Sequence, residues 1–290
     1  MPDFLSHSQL QTLKDCGEKY RLKYIERAQP QPSAAAIGGT AIHAATDAID
    51  RMILIGHNDY EELARAGAWE ANNSIGDSLQ EVQEKSPDYV DPATWHTYGR
   101  WTRQWPHGQD LAWFQKVAIP AGINNYIRWR STTVDLVPWD APDFGPAIEL
   151  PFETTIFDRP VHGKIDRIFQ STSNGALVLL DIKNGPKPKN SAQLGTYANA
   201  MRTAYPDLTF RWGTFLTGLK YDPNNPKLKT KAAKLTLPID LDYWTEDRLA
   251  RANVHAIFAI ENGIFIPNPG EQCQHCTFTK SCDFYQAALV

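Results

Sequence analysis

The segment from Leu177 to Lys183, which reads Leu-Val-Leu-Leu-Asp-Ile-Lys, is the feature that most restricts how this 290-residue chain can fold. Four aliphatic residues in succession are typical of a strand whose two faces are both buried in a sheet. Residues two apart along a strand share a face, so Asp181 and Lys183 must point the same way where the hydrophobic run ends. The sequence therefore predicts an acid and a base side by side at the open end of a buried strand.

Two more strands are predicted immediately upstream, over residues 148–157 and 161–169, with the buried strand itself over 176–182. Turn signals at Asp158-Arg159-Pro160 and Ser173-Asn174-Gly175 separate the three runs. Short branched or aromatic runs joined by such turns are typical of an antiparallel meander. Two further strands are expected over 208–216 and 232–239. We therefore predict an α+β chain, a mixed α/β arrangement with a central mixed sheet flanked by helices.

Helical patterns fill the rest of the chain. Ser6 and Gln9 form a capping-box pair ahead of a helix that reaches about residue 25. Thr40 is the predicted N-cap of a second helix, which opens at 38–40, runs to about residue 55 and has His43 in its first turn. Residues 60–130 are helical and contain six of the 9 tryptophans, whose rings we expect to pack in a core. Helices over 191–203 and 241–261 follow.

These patterns divide one continuous structural unit into four parts. Residues 1–58 are N-terminal helices, 59–135 a helical insertion, 136–262 the core with the sheet, and 263–290 a compact tail that contains cysteines.

A second carboxylate is predicted beside the first, because Gly163-Lys164-Ile165-Asp166-Arg167 lies on the neighbouring strand one hairpin earlier. Two carboxylates near one strand end form a hard oxygen site that suits Mg²⁺ or Mn²⁺. Phosphodiester hydrolysis needs an in-line hydroxide and relief of the charge that develops on the phosphorane. A divalent ion held by carboxylates supplies both, and a lysine such as Lys183 can position the water or the scissile phosphate. Taken alone, an Asp-X-Lys pair at a strand end is more often a surface ion pair, so the surrounding motifs decide the interpretation.

The charge of the chain bears on its partners. A formal net charge of -4 weighs against a general attraction to nucleic acid. Lys183, Lys187 and Lys189 nevertheless follow one another without an intervening acid, so DNA would bind a basic strip on an acidic body. The chain has no apolar run near the ~20 residues of a membrane span, no export signal and no Gly-X4-Gly-Lys-Ser/Thr loop. We expect a protein of the bacterial or phage-infected host cytoplasm, with no membrane and no ATP among its partners.

Five motifs occur in order around these strands. They are Gly39-Thr40-Ala41-Ile42-His43, Glu149, Gly163-Lys164-Ile165-Asp166, Asp181-Ile182-Lys183 and Gln193-Leu194-Gly195-Thr196-Tyr197. The set spans about residues 38–200 and resembles the motifs of the RecB-like branch of the PD-(D/E)XK nuclease superfamily. The resemblance implies a restriction-endonuclease-like core and a nuclease that depends on Mg²⁺ or Mn²⁺.

The resemblance also implies a role for each matched residue. The metal ligands would be His43, Asp166, Asp181 and the backbone carbonyl of Ile182. The catalytic set would be Asp166, Asp181, Lys183 and Glu149, of which Glu149 is either a ligand, a support for one, or simply a strand-end charge. The residues that support DNA binding would be Gln193 and Tyr197, which share a helix face. Apart from the resemblance, the basic run adds Lys187 and Lys189 to the residues expected to support DNA binding. Without its motif, His43 would more often be a capping or surface histidine.

The four cysteines form a separate group, with Cys16 near the N-terminus and Cys273-X2-Cys276-X5-Cys282 near the C-terminus. A disulfide framework is not expected in a cytoplasmic chain of this size. From the residues alone, four thiols could hold zinc or an iron-sulfur cluster, or could be small buried apolar groups. The pattern resembles that of CRISPR-associated iron-sulfur exonucleases, AddB-type nuclease domains and phage RecB-like exonucleases, which implies a [4Fe-4S] cluster. Gly17 stands where that family commonly has a proline.

Together these features predict a metal-dependent DNA exonuclease that acts on ends or single strands in phage or CRISPR-type recombination, replication or DNA processing. Recombination or CRISPR proteins are its possible partners. Two other classes remain open, namely a DNA-end-binding adaptor that cuts weakly or not at all and a nuclease directed at RNA. The joint presence of Asp166, Asp181 and Lys183 favours the enzyme over the adaptor.

Overall fold

The computed structural model describes residues 4–89, 91–92, 95, 110–185, 188, 190–220 and 234–285. Across these ranges a mixed sheet of seven strands is packed between two layers of helices. The mixed α/β architecture predicted from the sequence is therefore confirmed.

Nine strands occur in the described residues. They are β1 (Leu136–Pro138), β2 (Asp140–Ala141), β3 (Gly145–Pro146), β4 (Ile148–Ile156), β5 (Arg159–Ser171), β6 (Leu177–Lys183), β7 (Trp212–Thr217), β8 (Lys234–Leu235) and β9 (Ile239–Asp240). Strands β2 and β3 pair only with each other, and the other seven form the main sheet.

Strand β6 lies in the middle of the main sheet. It pairs antiparallel with β5, which also pairs antiparallel with β4, so the predicted meander is present. On its other side β6 pairs in parallel with β7. Parallel pairing requires a crossover connection, which a helix between the two strands supplies. One parallel pair among antiparallel pairs makes the sheet mixed, as expected.

The helices of the described residues cover both faces of the sheet. They are α1 (His7–Asp15), α2 (Gly17–Tyr20), α3 (Ala34–Leu54), α4 (Tyr60–Lys85), α5 (Leu111–Trp113), α6 (Ile119–Thr132), α7 (Ala192–Ala204) and α8 (Glu246–Glu261). Five-residue π-helical segments continue α2 and α5. None of the helices in the described ranges has the length and apolar character needed to cross a lipid bilayer.

The first predicted helix is interrupted at Cys16. Its capping box is present, since Gln9 N–H donates to Ser6 Oγ over 3.2 Å and Ser6 N–H donates to Gln9 Oε1 over 2.7 Å. Cys16 then adopts an extended backbone, with φ of -165° and ψ of 116°, between α1 and α2. The prediction of one continuous helix to residue 25 is therefore wrong, and the break lies at the cysteine.

Helix α3 begins earlier than predicted. Its N-cap is Ser33, whose side chain accepts from the N–H of Ala36, so the prediction of Thr40 as the N-cap is wrong. Thr40 lies inside the helix and donates from Oγ1 to the carbonyl of Ala36 over 3.1 Å. His43 consequently lies in the third turn of the helix rather than the first.

Gly38 allows a close approach and does not mark a helix start. A Cβ at this position would lie 2.0 Å from a ring carbon of Phe114. The expected core packing of the tryptophans holds for Trp95 and Trp129, which are 4% and 9% exposed, whereas Trp69 is 68% exposed. Two other tryptophans of this segment, at 101 and 105, lie outside the described residues.

The elements after β6 differ from the prediction mainly at their starts. Helix α7 begins at Ala192, one residue after the predicted start, with Ser191 as its N-cap. Strand β7 begins at residue 212 rather than 208. Residues 232–233 of the strand predicted over 232–239 lie outside the described residues, and the rest of that range contains β8 and the first residue of β9. Helix α8 begins after Thr245, whose side chain accepts from the N–H of Arg248, so residues 241–245 precede the helix.

Alternate residues of β6 enter two different hydrophobic cores. Leu177 and Leu179 pack in a core with residues of α7 and α8. Leu180 and Ile182 pack in a second core with residues of α3, α4 and α6. Burial of both faces explains the uninterrupted aliphatic run, and it fixes Asp181 on the face that is covered by α7.

Candidate active site

The open end of β6 carries the predicted acid and base. Lys183 Nζ lies 2.8 Å from Asp181 Oδ2. Only 1% of the Asp181 side chain is exposed, against 28% of the Lys183 side chain. The pair is therefore not a surface ion pair, because its carboxylate lies inside the protein.

Asp166 of β5 reaches the same strand end. Its Oδ2 accepts a hydrogen bond of 2.6 Å from the backbone N–H of Ile182, the residue between the acid and the base. The β5–β6 ladder stops at the pair Arg167–Leu180, so the Asp166 carboxylate takes the place of the next backbone acceptor. The two carboxylates that the sequence predicted to converge are thus brought together.

His43, Glu149 and Asp166 form the one trio of possible metal ligands that the described part of the chain contains. One ligand atom from each lies within 4.8 Å of the other two. His43 Nδ1 is 3.8 Å from Asp166 Oδ2. Asp181 and the carbonyl of Ile182, the other predicted ligands, lie outside this trio. The hydrogen bond from Ile182 N–H to Asp166 Oδ2 keeps Asp181 and the Ile182 carbonyl next to the trio.

Glu149 has an unusual backbone conformation. Its φ is +54°, in the left-handed region that residues other than glycine rarely adopt. In the β4–β5 ladder Glu149 lies opposite Asp166. The residues on either side of Glu149 keep the regular register of the ladder, with Ile148 opposite Arg167 and Leu150 opposite Ile165. A left-handed residue in a strand costs on the order of 1 kcal/mol, and such strain persists where the surrounding structure imposes it. Its place in the ligand trio counts against the alternative that Glu149 is merely a strand-end charge.

Burial and mutual repulsion raise the pKa of the carboxyl groups. Desolvation, followed by the charge of Asp166, raises the pKa of Asp181 to about 6. Desolvation raises the pKa of Asp166 as well, against the opposing effect of the Ile182 N–H. Desolvation and then the charge of Asp47 raise the pKa of Glu149. A bound cation would strongly stabilise the ionised forms of these neighbouring acids, which resist ionisation without it.

The two histidines near the site have lowered pKa values. Burial lowers the pKa of His43 despite the acids around it, so its imidazole is neutral at pH 7 and able to bind a metal ion. Burial, followed by the charges of Lys14 and Lys183, lowers the pKa of His7 in α1 to about 4. The sequence prediction missed His7, because the pattern of the first helix does not indicate that its N-terminal end is within electrostatic reach of Lys183.

Helix α7 completes a closed ring of hydrogen bonds with the acid and the base. Lys183 Nζ donates to Gln193 Oε1 over 2.9 Å. Gln193 Nε2 donates to the Tyr197 hydroxyl over 2.6 Å, and this hydroxyl donates to Asp181 Oδ1 over 3.4 Å. Gln193 and Tyr197 share a helix face, as predicted. With 4% of its surface exposed, Tyr197 reaches the aspartate and not the surface of the protein.

The segment after β6 is described only in part. Lys187 and Lys189, which were predicted to support DNA binding, lie outside the described residues. Asn184 follows Lys183 directly, and its Nδ2 donates to the carbonyl of Gly39 over 3.1 Å. This hydrogen bond links the end of β6 to the turn of α3 that precedes His43.

A buried charged cluster behind the site was not predicted from the sequence. Arg167 is fully buried and pairs with Asp47 and Asp50 of α3, each over 2.6 Å. The two acids are four and seven residues after His43 and therefore share its helix face. This spacing was the signal in the sequence that could have indicated the cluster. Acids on a helix normally indicate a surface in contact with solvent. Asp47 and Asp50 instead face the protein interior, because Arg167 lies opposite them.

The four cysteines lie around one cavity of about 490 Å³, which separates the N-terminal helices from the C-terminal tail. All four are free and partly exposed. Burial, with smaller effects from neighbouring cysteines, raises the pKa of Cys276 and Cys282. The cysteines at opposite ends of the sequence are therefore neighbours in the fold.

Backbone hydrogen bonds join the same two segments. Gly17 N–H donates to the carbonyl of Ile266 over 2.9 Å, and Gln31 N–H donates to the carbonyl of Thr277 over 2.7 Å. A Cβ on Gly17 would lie 2.4 Å from Ile266 N. A proline at this position could neither donate that bond nor fit.

Comparison with known proteins agrees with this geometry. The chain matches the family model of the PD-(D/E)XK nuclease superfamily over residues 4–283. It is 27% identical over 283 residues to the Gene 69 protein of Mycobacterium phage D29, with 97% of each chain covered. It is 24% identical over 302 residues to the Gene 69 protein of Mycobacterium phage L5, with 97% of this chain and 96% of that protein covered.

The family match spans both strands that carry the aspartates, the helix that carries His43 and the two segments that carry the cysteines. The mixed sheet flanked by helices is consistent with a restriction-endonuclease-like fold. The chain belongs to the PD-(D/E)XK nuclease superfamily, whose members are nucleases that use divalent metal ions.

Proposed function

We propose that this protein is a DNA exonuclease that depends on Mg²⁺ or Mn²⁺ and hydrolyses phosphodiester bonds at DNA ends or in single strands. The single observation that carries the proposal is the bond from Ile182 N–H to Asp166. It joins the Asp181–Lys183 pair to the trio of Asp166, His43 and Glu149. An acid-base pair and a metal site at one strand end are the two parts that the reaction needs.

The residues present fit a divalent cation. We assign its binding to His43, Glu149, Asp166, Asp181 and the carbonyl of Ile182. Carboxylate and carbonyl oxygens suit Mg²⁺ and Mn²⁺, and an imidazole favours Mn²⁺. When bound, the ion would lower the pKa of a coordinated water and offset the charge that develops on the scissile phosphate. The neutral His43 and the ionisation of Asp181 above a pKa of about 6 provide the required ligand states near pH 8.

Lys183 positions the attacking water or the scissile phosphate. Its ammonium group has three N–H donors. Gln193 accepts one of them, Asp181 Oδ2 lies 2.8 Å from the nitrogen, and 28% of the side chain is exposed, so the ammonium group can also reach a substrate. Gln193 and Tyr197 hold the lysine and the aspartate in this orientation, and Lys187 and Lys189 bind phosphates of the incoming DNA.

The phage origin of the two relatives supports a role in phage DNA recombination, replication or processing. Both align over nearly their whole length. The parts at 1–58, 59–135, 136–262 and 263–290 then act as one continuous unit, in which the two ends meet at the cysteines.

We further propose that the four cysteines hold a [4Fe-4S] cluster. Zinc at 2.3 Å from each sulfur would place tetrahedral ligands ~3.8 Å apart. The four cysteines are all described, and they line one cavity. A cubane cluster binds each sulfur to a different iron atom and therefore needs a wider spacing. The cavity of about 490 Å³ between the thiols also favours the larger group.

The nuclease proposal is tested with end-labelled linear DNA, single-stranded and double-stranded, incubated with Mg²⁺ or Mn²⁺. A circular single strand and an RNA of the same sequence are included, and EDTA provides the metal-free control. Short products from linear DNA only, with Asp181→Asn inactive, support the exonuclease. Equal cleavage of the circle would indicate an endonuclease, preference for the RNA would indicate the other substrate class, and no cleavage by the folded protein would indicate an adaptor.

A further inference from the structure

We propose, on the basis of the metal site assigned above, that Arg167 is a positioning residue. It fixes strand β5, which carries Asp166, relative to helix α3, which carries His43. The hydrogen bonds of the guanidinium group go to the backbone of β5 and to side chains of α3. It acts through the backbone of the strand and through acids on the helix.

The contacts of Arg167 reach both elements. Nη1 donates to the backbone carbonyl of Asp166 over 2.5 Å. Nε donates to Asp50 Oδ2 and Nη2 donates to Asp47 Oδ1, each over 2.6 Å. One planar, fully buried group thus joins the backbone of one ligand residue to the helix of another.

Helix α3 transmits this constraint to the imidazole over a short distance. Asp47 and Asp50 are four and seven residues after His43, which is about 6 Å and 10 Å along a helix axis. The helix is continuous over these residues. The separation of His43 from Asp166 is therefore set by the guanidinium group that spans the two elements.

Helix α6 completes the cluster from the opposite side. Tyr126 donates from its hydroxyl to Asp50 Oδ2 over 2.5 Å, and Arg130 Nε lies 2.9 Å from Asp50 Oδ1. Asp50 and Tyr126 are fully buried. Asp50 is thus shared by two guanidinium groups and a hydroxyl, and of these three groups only Arg167 also reaches strand β5.

The residue type fits this role. Arginine has five donors in a rigid fork and remains charged when buried, whereas lysine is a point charge on a flexible stem. Four directional bonds to two elements require the fork. A buried ion pair alone is weak evidence of stabilisation, but here the bonds join the two elements that hold the proposed ligands.

The charge of Arg167 and its positioning role have opposite effects on cation affinity. A guanidinium group near the site repels a cation, so its removal should tighten metal binding if charge alone matters. If Arg167 positions the ligands, its removal should weaken binding. The direction of the change therefore separates the two roles.

The test measures Mn²⁺ affinity by calorimetric titration of protein that has been freed of divalent cations and retains whatever group its cysteines bind, below the melting temperature of each variant. Circular dichroism confirms that each variant is folded. We expect Arg167→Met to weaken Mn²⁺ binding by about tenfold or more, as is usual when a group that orients metal ligands is lost. Arg167→Lys should recover only part of the affinity.

Tyr126→Phe is the matched control, because it removes one hydrogen bond to Asp50 and touches neither Asp166 nor Asp47. It should lower the melting temperature and leave the Mn²⁺ affinity unchanged. Tighter or equal binding by folded Arg167→Met, or an equal loss in Tyr126→Phe, would overturn the positioning role. If Arg167→Met does not fold, unchanged affinity in Arg167→Lys would overturn it. Wild-type protein that binds no Mn²⁺ would overturn the metal site itself, before any substitution is compared.

Discussion

Asp166 Oδ2 accepts a hydrogen bond of 2.6 Å from the backbone N–H of Ile182 and so holds its carboxylate beside the strand end that carries Asp181. The charge of Asp166 is the second cause, after burial, of the raised pKa of Asp181. One buried and one half-buried acid in this relation stabilise a bound cation and repel each other without one. The arrangement that serves a metal ion should therefore weaken the metal-free fold.

The metal-free protein should lose stability as the pH rises towards 6. A raised pKa in the folded state means that Asp181 contributes stability below its ordinary pKa of 3.8, and this contribution is lost as the pH passes about 6. We expect Asp181→Asn to melt about 3 °C or more above the wild type at pH 8 in EDTA, with a smaller difference below pH 5. Melting curves across this range measure the effect. Equal melting temperatures at pH 8 would contradict it.

Removal of either member of the acid-base pair should stop cleavage and leave DNA binding largely intact. Asp181→Ala and Lys183→Ala act on the developing charge and the attacking water, so each should lower the cleavage rate at least about a hundredfold. Asp166→Ala should behave alike through loss of the metal ion. Initial rates and fluorescence anisotropy with labelled DNA separate the two effects. Lys164→Ala, an exposed lysine on β5, is the control, and more than a few per cent of the wild-type rate in both site variants would count against the assignment.

The metal response should depend on His43 and Glu149. The wild type should be at least as active with Mn²⁺ as with Mg²⁺, because an imidazole ligand favours Mn²⁺. His43→Ala should raise the metal concentration needed for half-maximal rate, and Glu149→Gln should do so for both ions. Glu153→Gln provides a matched control, since Glu153 is a β4 acid whose side chain is 80% exposed. Identical metal titrations for His43→Ala and the wild type would show that His43 has only a structural role in helix α3.

The parts of the site that follow from local periodicity were predictable. Asp181 and Lys183 share a face because a strand repeats every two residues, and Gln193 and Tyr197 share one because a helix repeats every 3.6. The meander β4–β5–β6 followed from turn residues between branched runs. These features depend only on residues that are close in sequence.

The parts that depend on contacts distant in sequence were not predictable. Gly38 has the appearance of a helix start, but it is required by the Phe114 ring, and Ser33 caps the helix instead. Arg167 is buried only because α3 and α6 supply acids and a hydroxyl around it. The left-handed backbone of Glu149 is a property of the β4–β5 ladder and has no glycine or turn residue to signal it.

The cysteine cavity gives the last prediction, since its two walls are the opposite ends of the chain. Cys16→Ala should release most of the bound metal, because the four ligands act as a unit. Closing a loop that extends from Cys16 to Cys273 restricts the unfolded chain, so loss of the cluster should also lower the melting temperature. The wild type, purified without oxygen, should be brown, with a broad absorbance band at about 400 nm from thiolate-to-iron charge transfer.

Cys16→Ala should keep part of its structure at the two ends, because the bonds from Gly17 to Ile266 and from Gln31 to Thr277 do not involve the thiols. Limited proteolysis should therefore show faster cleavage near both ends, while Asp181 and Lys183 remain paired in the core. Residual activity at low temperature should exceed that of Asp181→Ala, since the acid-base pair is intact. Ser281→Ala, next to Cys282, is the control for disturbance of the tail. Colourless wild-type protein with bound zinc would assign the cavity to zinc. Four titratable thiols in the wild type, together with an unchanged melting temperature in Cys16→Ala, would show that the ends are held by the backbone bonds alone.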